Sequence, residues 1–120
     1  MIKNYYIFEE SNKEKPIAKL TIHETLDSKD ESIEILDESR IPFELQLIMD
    51  APCNDKVTQF LVDRAVPPNR RFLDEYCKEK GLNPYSLDDR LSLSHGRTYD
   101  DDYYIEIEKI AEDLIWKNTY

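Results

Sequence analysis

Glycine and cysteine are both scarce in this sequence, which has two of each among its 120 residues. Neither a GxxxxGKS/T nor a GxGxxG motif occurs, and two glycines cannot build a glycine-rich phosphate cradle. The two cysteines, Cys53 and Cys77, are too few and too far apart for a disulfide scaffold. These absences exclude the common nucleotide-binding loops and favour reduced thiols in a cytosolic protein.

Long apolar runs are also missing. No stretch reaches the roughly 18 apolar residues of a membrane span, and the start, MIKNYYIFEE, lacks the apolar centre of a secretory signal peptide. We therefore expect a cytoplasmic protein that is not bound to a membrane. Because 40% of the residues are apolar, the chain can bury a core, and its length predicts a single domain over residues 1–120.

Basic residues are outnumbered, with 16 Lys and Arg against 26 Asp and Glu, a formal net charge of -10. The charge is uneven: residues 1–50 carry 6 basic and 12 acidic groups, residues 51–99 carry 8 and 7, and residues 100–120 carry 2 and 7. Five of the six arginines lie in the middle segment. Acidic ends repel nucleic-acid phosphates, so direct binding of DNA or RNA is not expected.

The first third of the sequence alternates with a period of two. Tyr5 and Ile7 fall on one face of a strand, and Tyr6 and Phe8 fall on the other. Two further alternating segments, IAKLTIHE and SIEILD, are separated by polar turns. We predict a small antiparallel sheet over residues 4–36, with one covered face and one solvated face.

The run IPFELQLIM is too short for periodicity to decide its structure. Pro42 argues against a central strand there. We predict a connector that buries Phe43, Leu45 and Leu47.

From Asn54 the apolar period becomes helical, and three short helices are predicted over residues 54–95. Asn54 is a candidate N-cap, and Pro67 and Pro68 end the first helix. Pro68 suits the first turn of the second helix, which is predicted to run to about Lys80 and to bury one face of apolar side chains. That face comprises Phe72, Leu73, Tyr76 and Cys77.

Gly81 and Gly96 stand where helix-terminating glycines are expected, and Ser86 with Asp89 has capping-box spacing. The tail that begins at Asp100 is predicted to form a strand or loop and then a C-terminal helix over residues 105–117, from a stripe that includes Ile107. The predicted fold class is α+β, with the sheet first and most of the helix after it.

The polar residues show no recognisable catalytic or metal-binding pattern. Ser94 and His95 are adjacent on a predicted helix, so their side chains do not face each other. The two histidines, His23 and His95, and the two cysteines match no zinc spacing. We therefore expect no enzymatic activity, no catalytic residue, no metal and no cofactor.

Two predicted helices have the proportions of a helix-turn-helix, with Arg90 and Arg97 on or after the second. The acidic flanking segments oppose DNA recognition by such a unit.

The stretch FLVDRAVPPNRR concentrates arginine around a double proline. If Arg64 ends one helix and Arg70 starts the next, the prolines hold the two guanidinium groups in a fixed relation suited to carboxylates. The carboxylate is either internal, with Asp100, Asp101 and Asp102 as candidates, or supplied by a partner. We favour internal pairing.

Residues 41–105 resemble the N-terminal accessory part of HipA-like serine/threonine kinases and related short proteins of Firmicutes mobile elements. The shared pieces are a Leu/Ile-Pro before a helix, an Arg-x-x-Pro-x-Asn-Arg core, a helix ending in a Leu-Gly-like cap, a Ser-x-Gly and an Asp-x-Tyr-aromatic-Ile segment. In this sequence the core is Arg64, Pro67, Asn69 and Arg70, and the last two pieces are Ser94-His95-Gly96 and Asp102-Tyr103-Tyr104-Ile105.

The kinase body of that family has no counterpart here, so kinase activity is not carried over. The resemblance implies a stand-alone accessory module that regulates a protein partner, a kinase-like protein being one candidate, in a bacterial or phage setting. An alternative rests on the charge alone: an acidic mimic of nucleic acid that occupies a DNA-binding protein or a defence nuclease, as anti-CRISPR proteins do.

Overall fold

A computed structural model describes residues 2–50, 55–98 and 101–110. Its sheet has four antiparallel strands: β1 (Ile2–Glu9), β2 (Ala18–Glu24), β3 (Lys29–Ile35) and β4 (Tyr103–Ile110). They are arranged in the order β3-β2-β1-β4, which places the two ends of the described chain side by side at β1 and β4.

The period of two explains the covered face of the sheet. Tyr5 lies opposite Leu20 on β2 and opposite Ile107 on β4, and Ile7 is paired in the same way with Ala18 on one side. These side chains form one apolar core with buried side chains from the helices. The α+β class and the N-terminal antiparallel sheet are confirmed. The turn between β2 and β3 is shorter than predicted, because hydrogen bonds within residues 25–28 close it and let β3 begin at Lys29.

The predicted C-terminal helix is wrong over its first residues, since residues 103–110 form β4. The segment YYIEIEKI also alternates, with Tyr103, Ile105 and Ile107 on the core side. Pairing with the open edge of β1 satisfies the backbone of this segment, and this overrides its helical spacing. Residues 111–117 of the predicted helix lie outside the described residues.

Most of the predicted connector, residues 43–49, is helical. A 3₁₀ turn (Glu38–Arg40) precedes α1 (Phe43–Met49), and Pro42 occupies the N-cap position, where its missing N–H is no loss. Leu45 is buried as predicted, but Phe43 is 71% exposed and Leu47 is 57% exposed. Only one position in each turn of so short a helix reaches the core.

Helix α2 (Lys56–Arg64) buries Val57, Phe60 and Leu61 as its stripe predicted. Its N-terminal amides are capped from the sheet, and the side chain of Asp55, at the N-cap position, forms no capping hydrogen bond. The carboxylate of Glu31 on β3 accepts hydrogen bonds from the N–H groups of Val57 (2.9 Å) and Thr58 (3.1 Å) and from the Thr58 hydroxyl (2.5 Å). The predicted N-cap, Asn54, lies outside the described residues.

The second predicted helix begins later than expected. Residues 65–72 form a loop with successive turns, and α3 (Leu73–Lys80) follows. Leu73 and Cys77 are buried as predicted, whereas Phe72 and Tyr76 are 65% and 49% exposed. The helix is short, and only Leu73 and Cys77 on one side of it are buried. Gly81 ends it in the left-handed conformation, as predicted.

Helix α4 (Leu87–Ser94) begins with the predicted Ser86 cap, whose hydroxyl accepts from the Asp89 N–H. The Asp89 carboxylate accepts from the Asn83 N–H instead of completing the capping box. At the other end His95 and Gly96 both have positive φ, 55° and 68°. A Cβ at Gly96 would lie 2.7 Å from the Cβ of Ile105, so only glycine lets β4 approach.

Among the described residues, no helix combines the length and the apolar character needed to cross a membrane.

The Glu31 cap yields a direct test. We expect Glu31→Gln to lower the free energy of unfolding by about 1–3 kcal/mol, because the uncharged amide offers a single acceptor to three donors at a helix N-terminus. Glu34→Gln, on the same strand but on the exposed face, is the control and should change stability by less than about 0.5 kcal/mol. Urea unfolding of both variants measures the difference. Equal stabilities would show that the cap contributes nothing.

Candidate partner-binding site at the arginine corner

The side chain of Arg64 is buried at the end of α2, with the residue 2% exposed. Its Nε donates to the Gly96 carbonyl at 2.6 Å, and its two terminal nitrogens form a fork on the Asp101 carboxylate at 2.9 and 2.7 Å. Nη2 also donates to the Tyr103 carbonyl at 3.1 Å, and Nη1 lies 3.6 Å from the Glu44 carboxylate. The predicted internal pairing is therefore confirmed for Arg64.

The surrounding chain positions this guanidinium from several directions. Ser94 on α4 donates its hydroxyl to the Arg64 carbonyl at 2.9 Å and so satisfies one of the open carbonyls at the end of α2. Gly96 and His95 then connect α4 to β4, because the His95 carbonyl accepts from the Ile105 N–H at 2.7 Å. The Ser94 hydroxyl thus links α4 to the end of α2, and His95 is an exposed residue at the end of α4.

Asp101 is the acidic partner that the sequence left open among three candidates. Burial alone would raise its pKa, but the hydrogen bonds from Arg64 and from the Tyr103 N–H outweigh burial and hold the pKa of this carboxyl below its ordinary value. Asp102 has an exposed side chain and contributes only its carbonyl, which accepts from the Glu10 N–H. Asp100 lies outside the described residues.

The two predicted tyrosines face different sides of the sheet. Tyr103 supplies its carbonyl to Arg64, as described above. Tyr104 lies on the face away from the helices, stacked on Phe8 with ring centroids 5.3 Å apart and under the Arg97 guanidinium at 5.1 Å. Arg97 also donates to Glu10 at 2.6 Å. The Tyr104 ring is therefore packed against other residues of this chain.

The structure separates Arg70 from Arg64. Arg70 does not begin a helix, since α3 starts at Leu73; it lies in a turn in which its N–H bonds the Pro67 carbonyl at 3.2 Å. Pro67, Asn69 and Arg70 are all exposed, and the Arg70 side chain makes no hydrogen bond or ion pair with the described residues. We call residues 64–72 the arginine corner.

Arg90 on α4 anchors the arginine corner, a role that the sequence did not reveal. Its backbone carbonyl accepts from the Val66 N–H at 3.3 Å, and its Nη1 donates to the Val66 carbonyl at 3.2 Å. This two-way connection fixes the loop just before the double proline. Arg90 and Arg97, the arginines of the predicted helix-turn-helix, both bond to other residues of this chain, Arg90 to Val66 and the exposed Arg97 to Glu10.

A groove of about 400 Å³ lies beside the corner, between the loop, α3 and the end of α4. The Arg71 guanidinium lies 4.8 Å from the centre of the exposed Phe72 ring. Phe72 has φ 65°, a left-handed conformation that is unfavourable for an aromatic residue and that recurs at functional sites. The groove lining is Val66, Arg70, Arg71, Phe72, Leu73, Tyr76, Leu93 and Ser94.

A second polar cluster lies between β1 and the first turn of α4, but it is satisfied internally. Asp88 accepts a hydrogen bond from the Tyr5 hydroxyl at 2.7 Å and pairs with the Lys3 ammonium at 3.1 Å. Burial, and then the hydrogen bond to Asp88, raises the pKa of Tyr5 well above its ordinary value, so the phenol remains a donor. The alternation of β1 placed Tyr5 inward, but no sequence signal linked it to Asp88.

Within the described part of the chain, no three His, Cys, Asp or Glu side chains are grouped so that they could hold a metal ion. Cys77 is a buried free thiol, and Cys53 lies outside the described residues. No family model matches this chain, and no curated protein or solved structure matches it significantly. The resemblance to HipA-like proteins therefore stays a prediction, carried by the residues quoted above.

Arg64 and Arg70, two of the three arginines of the corner, form a matched pair for mutation. Arg64→Lys keeps the charge but removes the planar fork, and we expect it to lower the free energy of unfolding by about 2–4 kcal/mol because carbonyl and carboxylate partners are left unpaired in a buried site. Arg70→Lys, at an exposed position, should change it by less than about 0.5 kcal/mol. Urea denaturation measures the free energy of unfolding of both variants. Similar losses of stability would contradict the conclusion that Arg64 is paired internally and Arg70 is not.

The lowered pKa of Asp101 makes the pairing dependent on pH. An unfolded aspartate titrates near about 3.9, so the contribution of Asp101 is fully present above that pH and is lost as the pH falls through the lower pKa of the folded state. We expect Asp101→Asn to be less stable at neutral pH and to lose less stability on acidification than the wild type. Thermal melts between about pH 5 and pH 2 measure this, with Asp102→Asn as a control that should retain the wild-type slope.

Proposed function

We propose that this protein is a non-enzymatic module that binds and regulates a protein partner, and that the arginine corner is its contact surface. The resemblance described above makes a kinase-like protein of a bacterial or phage system the first partner to test. Nothing in the chemistry of the described site calls for a reaction: its hydroxyl, carboxylates and buried guanidinium are engaged with one another.

One observation carries the proposal. A loop that follows the buried Arg64 and is bonded to Arg90 at Val66 displays Arg70, Arg71 and Phe72 to solvent, with Phe72 in an unfavourable backbone conformation. Strain of this kind persists only where the surroundings enforce it, and a fixed display reduces the entropy lost on binding. Arginine and aromatic residues are also the types enriched at the energetic centres of protein interfaces.

The open face of the sheet, which is the side turned away from the helices, supports the second candidate, the acidic mimic. Its two edge strands carry exposed carboxylates: Asp30 and Glu34 on β3, and Glu106 and Glu108 on β4. With neighbouring strands about 4.8 Å apart, the two rows lie roughly 14 Å from each other across the face. These rows of carboxylates would attract a basic surface of a partner, whereas the arginines of the corner would repel it.

Site-specific photo-crosslinking separates the two candidates. A photoreactive amino acid is placed at Asn69 in the corner or at Ser32 on the open face, both exposed positions. The protein is irradiated in a lysate of its own host cells, the captured protein is identified by mass spectrometry and then purified, and its binding is measured by calorimetry. We expect capture from position 69, and an affinity at least about tenfold weaker for Arg70→Ala, with unchanged stability.

Capture only from position 32, by a basic nucleic-acid-binding protein, would favour the mimic. An affinity for the purified partner that does not respond to Arg70→Ala would remove the corner from the interface.

A further inference from the structure

We infer that the groove beside the arginine corner takes an extended acidic segment of the partner, with one apolar side chain seated in the groove and carboxylates at Arg70 and Arg71. This inference rests on the proposed function and specifies the chemistry of the partner. It concerns a peptide segment, not a nucleic acid or a small anion.

The shape of the surface supports an extended segment. A second, more open depression of about 680 Å³ adjoins the groove and is bordered by Asp63, Pro67, Arg97 and Thr98 among others. Val66, Arg70 and Ser94 border both depressions, so Arg70 stands on the ridge between them. A chain crossing the ridge in extended conformation would place alternate side chains in the two depressions and bring its carboxylates past Arg70.

The charge of the surface selects an acidic segment. The chain as a whole carries -10, so an acidic peptide is repelled over most of the molecule. Arg70 and Arg71 are exposed in the groove wall, and neither forms an ion pair with the described residues. Because the rest of the surface repels an acidic peptide, attraction at Arg70 and Arg71 directs the peptide to the groove.

The floor of the groove selects a segment that also carries an apolar residue. Val66 and Leu93 are partly buried, Leu73 is buried, and the exposed Phe72 and Tyr76 rings stand at the rim. A bare phosphate or a nucleic-acid backbone would leave this apolar surface in water. An aliphatic or aromatic side chain would cover it while its acidic neighbours reach the guanidinium groups.

Three fluorescein-labelled peptides test the inference by fluorescence anisotropy. The first has a central Leu-Phe pair flanked by Asp and Glu; the second replaces the acidic residues by Asn and Gln; the third replaces Leu-Phe by Ser-Ser. We expect the first to bind the wild type at least about tenfold more tightly than either of the others, since each of those lacks one of the two required features.

A matched pair of double variants locates the binding. Arg70→Glu with Arg71→Glu should weaken binding of the first peptide at least about tenfold. Lys15→Glu with Lys78→Glu makes the same change in net charge at exposed positions outside the groove, and it should alter binding by less than about twofold. Circular dichroism and thermal melts confirm that both double variants are folded, which is expected because all four side chains are exposed.

Equal losses of peptide affinity in the two double variants would show non-specific attraction and overturn the inference. The inference would also fail if a single-stranded DNA oligonucleotide displaced the first peptide at a lower concentration than the unlabelled peptide does. If no peptide binds, yet the purified partner still loses affinity on Arg70→Ala, the acidic-segment inference fails while the proposed function stands. If the partner is indifferent to Arg70 as well, the proposed function fails with it.

Discussion

The guanidinium of Arg64 lies where α2, α4, β4 and α1 come together, and four of its five N–H groups donate hydrogen bonds to oxygens. Gly96 and Tyr103 supply carbonyls, Asp101 supplies both carboxylate oxygens, and Glu44 lies beside the remaining donor. Removing a charge from water is costly, and such a site is stable only when all its partners are present. The elements that provide them must therefore assemble together, and the guanidinium defines their relative positions.

Arg64 and Arg70 lie only six residues apart, but they have opposite roles. Helix α2 ends at Arg64, and the loop then turns outward through Pro67 and Pro68, with Arg90 fixing Val66 from behind. Beyond that point Arg70 remains at the surface and forms no ion pair with a described carboxylate. The prolines thus separate an arginine that stabilises the fold from one that is available to a partner.

The sequence was informative where local rules operate alone. Alternation in β1, the glycine at the end of α3 and the serine before α4 each act through their own neighbours, and the structure agrees with them. The pairing of Arg64 with one of Asp100, Asp101 and Asp102 was also predictable, because a guanidinium fork held in place by the prolines suits a carboxylate.

The remaining features depend on contacts between distant segments. Residues 103–110 fit both a helical stripe and an alternating strand, and the unpaired edge of β1 decided between them. Glu31 caps α2 from another strand, and Asp88 meets Tyr5 across the core, neither of which a local pattern can indicate. Residues 43 and 47 were expected inside because of their apolar character, but α1 is too short to bury more than one face.

The strand order has a consequence for the order of events during synthesis. β1, β2 and β3 are sequential neighbours and can pair as soon as they are made, but β4 joins β1 only after nearly the whole described chain has been translated. Until then β1 presents an open hydrogen-bonding edge, and Arg64 has neither Asp101 nor the carbonyl of Tyr103. Contacts between such distant segments slow folding, so the nascent chain must persist with an unprotected edge that other strands can join.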